Sequence, residues 1–315
     1  MNQQKNSTKQ ETEDNKKENR GTLIIDATCV PHQITYPLDA KLINTARCEA
    51  EKLVKLICKQ KNEKIPRMYG RRASKEYLEY SKKRKKTQGQ IRKIIKSQLQ
   101  YLDRNLRRIS NLTKESKNLL TKKQQKKVEV LKQVYAQQKQ MYDNKVHSVE
   151  NRIVSIDQPF LRPIVRGKEK APVEFGAKVD FSLDEDNNLR LEKLSYDAYN
   201  ESENLIDQVK AYKDRAGVYP ERVLADKIYR NRKNLKYCKD RNIRLLGPAL
   251  GRPKADDEAQ KNLKKIEKQD NKDRISIERS IGRVKGKFGL NKIRTKLKET
   301  STCVIGVATL CMNLF

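Results

Sequence analysis

Cysteine in metal-binding or disulfide-forming order is missing from this sequence. Six cysteines (Cys29, Cys48, Cys58, Cys238, Cys303 and Cys311) occur without a Cys-x-x-Cys pair, and only His32 and His147 could join them. A zinc site and a disulfide framework are therefore set aside in favour of reduced, buried thiols. Long apolar runs are missing too. The longest, 303–315, falls short of the ~20 residues a membrane span needs, and the opening MNQQKNSTKQETEDNKKENR has no apolar core for a signal peptide. Those first twenty residues are expected to be a disordered polar leader. No helix-turn-helix or zinc-finger spacing occurs, so no base-specific readout is assigned. What remains is a cytoplasmic chain that crosses no bilayer.

Acidic residues are the minority charge. Seventy-two Lys and Arg stand against 40 Asp and Glu, a formal net charge of +32 in 315 residues, far more than solubility needs, and a polyanionic partner is the direct reading. Hydrophobic residues make up 36% and are unevenly spread. That suits one catalytic-sized core carrying a charged insert.

Order is expected from Thr22, where Leu23, Ile24 and Ile25 form a β-branched apolar run that ends in Asp26, the pattern of a buried strand. Leu42, Ala46, Ala50, Leu53, Val54 and Ile57 recur at helical spacing over 39–58. Residues 21–58 are thus assigned to a first part of the catalytic domain. Residues 59–96 carry 15 Lys or Arg against three Glu, including the run from Lys82 to Lys86, and read as an exposed basic arm or helix. From Gln90 to Met141 apolar positions return every three or four residues, with Ser110, Asn111 and Thr113 marking a break. Two antiparallel helices follow from that. Residues 59–148 accordingly form a basic helical-hairpin insertion, a spacer held by its own seam or a DNA clamp, and the charge favours DNA contact.

From 149 to 315 strand and helix alternate, as in an α/β layer. Strands are expected at 153–156, 173–181 and 189–194, the last two joined by a turn-rich loop into a hairpin. Asn200 and Asn231 are placed to cap helices, 222–225 forms a strand reaching Asp226, and 243–246 forms another before Gly247-Pro248. A polar surface helix covers 255–270. A second helix, 273–287, carries Arg274, Glu278 and Lys285.

Phosphodiester chemistry on DNA needs a strong nucleophile and relief of charge on the leaving oxygen, which two Mg²⁺ ions roughly 3.5 to 4 Å apart can supply. Such hard cations want carboxylate oxygens. Asp26 and Asp226 at the ends of neighbouring strands and Glu278 on a helix against the same sheet can converge although far apart in sequence. Arg274 and Lys285 lie about 40° and 20° from Glu278 around the helix axis, one face that could grip DNA phosphates beside the metals. Asp180 and Asp197 remain alternative ligands from their strand-end positions, with Asp197 also placed to order a turn.

The segments TLIIDATCVPHQITYP (22–37), GAKVDFSLDEDNNLRLEKLSYDAYNE (176–201), VLADKIYRNRKNLKYCKDRNIRLLGPALGRPK (223–254) and RISIERSIGRVKGKFGLNKIRTKLKETS (274–301) resemble the DDE transposases of bacterial insertion sequences. They are most similar to the insertion-sequence-five/four type. In that family the helix bearing the last acid reads Tyr, two residues, Arg, three residues, Glu, six residues, Lys. Arg274, Glu278 and Lys285 match this spacing, and Asn271 stands in the tyrosine position. The resemblance runs from about Gly21 to the C-terminus and is weak across the basic insert.

It implies an α/β fold with an RNase H-like mixed sheet flanked by helices. It also implies two Mg²⁺ ions, replaceable by Mn²⁺, held by Asp26, Asp226 and Glu278, with Arg274 and Lys285 on the DNA strand. The reaction implied is cleavage by water and then attack of the freed 3′ hydroxyl on target DNA. The implied partners are double-stranded DNA, as element ends and target, and a second copy in a homodimer. Relatives carry a helical DNA-binding region before the first aspartate, where this chain has some twenty polar residues, so a truncated or split-frame product is a further expectation. The same acids would also serve a stand-alone metal-dependent nuclease, and a shortened chain could persist as a non-catalytic DNA-binding remnant.

Overall fold

Thr22–Pro31 form β1, a ten-residue strand buried along most of its length in the computed structural model. The structure describes residues 18–114, 119–165, 173–247 and 258–315; the leader at 1–17, Pro248 and residues 255–257 therefore lie outside the described residues. Packing separates two units, Met1–His32 with Ile164–Phe315, and Gln33–Pro163. The divisions thus fall at 32/33 and 163/164, where the sequence points to 58/59 and 148/149.

In the first unit β1 runs antiparallel to β3 (Val173–Leu183) from Ile24↔Leu183 to Pro31↔Gly176, and β3 runs antiparallel to β4 (Leu189–Ser195). On its other side β1 lies parallel to β5 (Arg222–Leu224), which lies parallel to β6 (Arg244–Leu245). With β2 (Arg162–Val165) the sheet order is β2-β3-β1-β5-β6, β4 also pairing with β3. The sheet is therefore mixed and the unit is α/β. β1 does not stop at Asp26, as expected from the sequence, because β3 pairs with it through Pro31. Gly176 permits that close pairing: a Cβ there would collide with the Val30 carbonyl oxygen.

The β3–β4 loop is closed by Asp184, whose Oδ1 accepts from the Asn188 N–H at 2.8 Å, with Asn187 left-handed at φ 62°, a conformation asparagine tolerates. Asn200 Oδ1 accepts from the Ser202 N–H at 3.2 Å and caps a 3-10 turn, Glu201–Asn204, that leads into α5 (Leu205–Ala216). Gly217 ends that helix at φ 74°. Asn231 caps α6 (Arg232–Lys239) through the Asn234 N–H at 2.8 Å. Leu23, Ile25, Val223 and Ala225 bury one face of the strands against Leu205, Val209, Cys238 and Tyr229. The two helices expected over 255–270 and 273–287 are one, α7 (Glu258–Lys287), followed by α8 (Lys298–Leu314).

The second unit is helical: α1 (Asp39–Gln60), α2 (Gly70–Lys82), α3 (Gln88–Leu112) and α4 (Lys122–Asn144). Thr87 with Gln90, and Thr121 with Gln124, form capping boxes at the starts of α3 and α4. Ile43, Ala46, Leu53 and Ile57 of α1 share one core with Leu102 and Ile109 of α3 and Leu131 and Val134 of α4, so α1 joins the helical hairpin rather than the sheet. No strand forms at 153–156. Ile153 and Ile156 plug this helical core instead, and the Ile153 N–H donates to Gln137 Oε1 at 2.9 Å, a side chain where a strand would supply a carbonyl. Among the described residues no helix is long and apolar enough to cross a membrane.

Candidate active site

β5 ends at Leu224, opposite Ile24, while β1 continues for seven residues. Beyond that point the β1 edge loses its parallel neighbour and a cleft of about 510 Å³ opens along residues 26–29. Asp26 and Asp226 both stand two residues past the Ile24↔Leu224 pair. Side chains alternate along strands, so Asp26 lies on the Ile24 face, while Asp226 follows the end of β5 and caps a 3-10 turn. Lys285 of α7 donates from Nζ to Thr28 Oγ1 at 2.7 Å. Asp26, Asp226, Glu278 and Arg274 all line the cleft, with Lys178, Tyr199 and Glu201. Lys285 does not line it, but its ammonium donates to Thr28, which does.

Four of the five candidates offered by the sequence line this one cleft. Asp26 is half-buried, and that desolvation, with Glu278 and Glu201 adding repulsion, outweighs the Ala27 N–H and Arg274 and raises its pKa to about 6. Its Oδ1 accepts from the Ala27 N–H at 2.9 Å. Asp226 is exposed, and its Oδ1 accepts from the Lys227 N–H at 2.6 Å, capping a 3-10 turn at Lys227–Tyr229. Glu278 pairs with Arg274 at 3.0 Å, its side chain about half exposed.

One arginine connects the elements that carry the acids. Arg222 of β5 donates from Nε to Thr22 Oγ1 of β1 at 2.8 Å, and from Nη1 to Asp270 Oδ1 and Asp273 Oδ2 of α7 at 2.7 and 2.8 Å. Arg244 of β6 also pairs with Asp270. This network, not legible from spacing, sets α7 against β1 and β5.

The alternative ligands sit elsewhere. Asp180 pairs with Ala27 and so points to the sheet face opposite Asp26. It is 0% exposed and accepts from Tyr199 Oη at 2.6 Å and Asn204 Nδ2 at 2.6 Å; burial raises its pKa against those bonds. Asp197 is exposed and orders its turn through Ser195, whose Oγ donates to the Asp197 carbonyl at 3.0 Å. Glu201 is the acid that sequence reasoning missed. It follows a cap residue, a position where an acid ordinarily serves the helix dipole, and only the folded chain turns it towards the cleft.

An oxygen-only set of carboxylates suits a hard divalent cation, and Asp26, short of compensating charge, is the kind of group such an ion would satisfy. Among the described residues no three His, Cys, Asp or Glu side chains stand close enough to hold one ion. Glu278 is paired with Arg274 instead.

A mixed sheet with an acid-lined cleft beside the end of β5 marks this unit as an α/β protein. Residues 223–315 match the family described as the transposase DDE domain, a segment that includes Asp226, Arg274, Glu278 and Lys285. The match supports a DDE transposase. No curated protein matches the chain, and no solved structure does.

Proposed function

We propose that the chain is a metal-dependent DNA transposase of the insertion-sequence-five/four type, with an RNase H-like catalytic unit and a DDE triad of Asp26, Asp226 and Glu278. The observation that carries this reading is the gathering of these three acids and Arg274 on one cleft, two of the acids inside the segment that matches the transposase DDE domain. Bound Mg²⁺ or Mn²⁺ would supply Lewis-acid activation of the attacking oxygen and charge relief at the leaving one. Asp26 and Asp226 would hold the ions, and Glu278 would complete the set by leaving Arg274, a rotation open to a half-exposed side chain on a helix surface. Arg274, freed of Glu278, would take a DNA phosphate, and Lys285 would brace the strand from Thr28.

The helical unit, with its exposed Lys82 to Lys86 run, is proposed as a DNA-contacting insertion, the working form as a homodimer on paired element ends, and its setting as the cytoplasm. An assay with a labelled 3′ end and Mg²⁺ tests the reading. Cleavage and joined product are expected from the native chain, and both should fall to background in Asp226→Asn. Cleavage without joining would mark a nuclease; DNA binding with no Mg²⁺-dependent product would mark a non-catalytic remnant.

A further inference from the structure

The cleft holds a carboxylate beyond the three assigned. Glu201 opens the 3-10 turn after β4, lines the cleft with Asp26, Asp226 and Glu278, and is held by Lys178 of β3, Nζ to Oε2 at 2.7 Å. Lys178 also donates to the Tyr199 carbonyl at 3.0 Å, and both side chains of the pair are mostly buried.

We propose that Glu201 is a fourth carboxylate of the divalent-metal site, and that Lys178 is its stand-in counter-ion, displaced when the metal binds. The inference rests on the transposase reading of the cleft. Its physical content is competition: an ammonium and a divalent cation seek the same carboxylate oxygens, and both cannot be accommodated in a partly desolvated cleft. Glu201 therefore contributes to metal affinity while Lys178 opposes it. A purely structural ion pair would behave otherwise, since breaking it from either side would loosen the site equally.

Titration of the full chain with Mn²⁺, followed by the loss of the free-ion paramagnetic resonance signal, separates these cases without any turnover. Glu201→Gln is expected to weaken Mn²⁺ binding by ~10-fold or more, the range seen when a group supporting a metal site is lost, and Lys178→Met to leave it unchanged or tighten it. Unchanged binding in Glu201→Gln, or weakened binding in both variants, overturns the assignment. Asp226→Asn is the reference: if it binds Mn²⁺ as the native chain does, the transposase reading of the cleft fails as well. Should Asp226→Asn weaken binding while Glu201→Gln does not, only the role of Glu201 falls.

Discussion

Arg222 and Asp270 meet at 2.7 Å between β5 and α7, and through that contact the strand leading to Asp226 positions the helix carrying Glu278. Asp270 is 2% exposed, so it needs its cations. Removing one partner of such a pair leaves a desolvated charge and costs about 3–5 kcal/mol when burial is complete. Arg244 still serves Asp270 and Arg222 is itself partly exposed, so Arg222→Met is expected to cost about 2 kcal/mol on that scale. Arg222→Lys should not restore it, because an ammonium cannot reproduce the planar fork that reaches Thr22 and α7 together. Urea unfolding checks both. A midpoint unmoved in Arg222→Met would remove this network from the account of how the acids are aligned.

Asp26 makes stability depend on pH in the direction opposite to most carboxylates. Its folded-state pKa is raised from 3.8 to about 6, so the folded chain holds the proton more tightly than the unfolded one. The stabilisation is complete below about pH 4 and is lost as pH rises through about 6. In metal-free buffer at pH 7.5 the ionised, desolvated group therefore costs on the order of 2–3 kcal/mol. Asp26→Asn removes that cost. The variant should melt above the native chain at pH 7.5, with the difference closing by pH 4; a variant that melts lower at pH 7.5 would refute burial as the cause.

Much of this could be read from residues alone, and what could not has a common origin. Local signals carried through: the apolar run into Asp26, the turn chemistry of 184–188, the caps at Asn200 and Asn231, and the break after Leu112 all appear where their side-chain chemistry requires. Partnership was not legible. β1 runs past Asp26 because β3 pairs with it there. α1 has the pattern of any amphipathic helix, and only its fit against α3 and α4 assigns it to the helical unit. The run at 153–156 is apolar enough for a strand but plugs a helical core. Asp26, Asp226 and Glu278 could be singled out from the apolar runs and helix spacing around them, whereas Glu201 and Arg222 owe their places to contacts across the unit.

The helical unit's charge makes DNA affinity a measurement of ionic strength. Lys82, Lys83, Arg84, Lys85 and Lys86 are all exposed, at the end of α2 and in its connection to α3. Each phosphate neutralised by such a group releases counterions and steepens the dependence of log K on log salt by about 0.9 on duplex DNA. Replacing Lys82, Lys83, Arg84 and Lys85 with Gln should flatten the slope by ~2–4 and weaken binding on unrelated sequences alike. An unchanged slope in a fluorescence-anisotropy titration would exclude this run from the DNA interface.

Arg47, 0% exposed in the helical unit, tests whether that unit is held by polar contacts or only by its apolar seam. Its guanidinium donates to Gln98 Oε1 at 3.0 Å, Asn44 Oδ1 at 2.9 Å and Ser74 Oγ at 3.1 Å, and pairs with Glu51. It thereby ties α1 to α3 and α2. Arg47→Met leaves Glu51 without its cation and Gln98 without a donor, a loss of about 3 kcal/mol or more. Adding Glu51→Leu removes the stranded charge, so the double variant should recover part of that loss, giving a coupling energy of ~1–3 kcal/mol in a double-mutant cycle. If the two losses simply add, the ion pair contributes nothing of its own and Arg47 acts through its bonds to Gln98, Asn44 and Ser74.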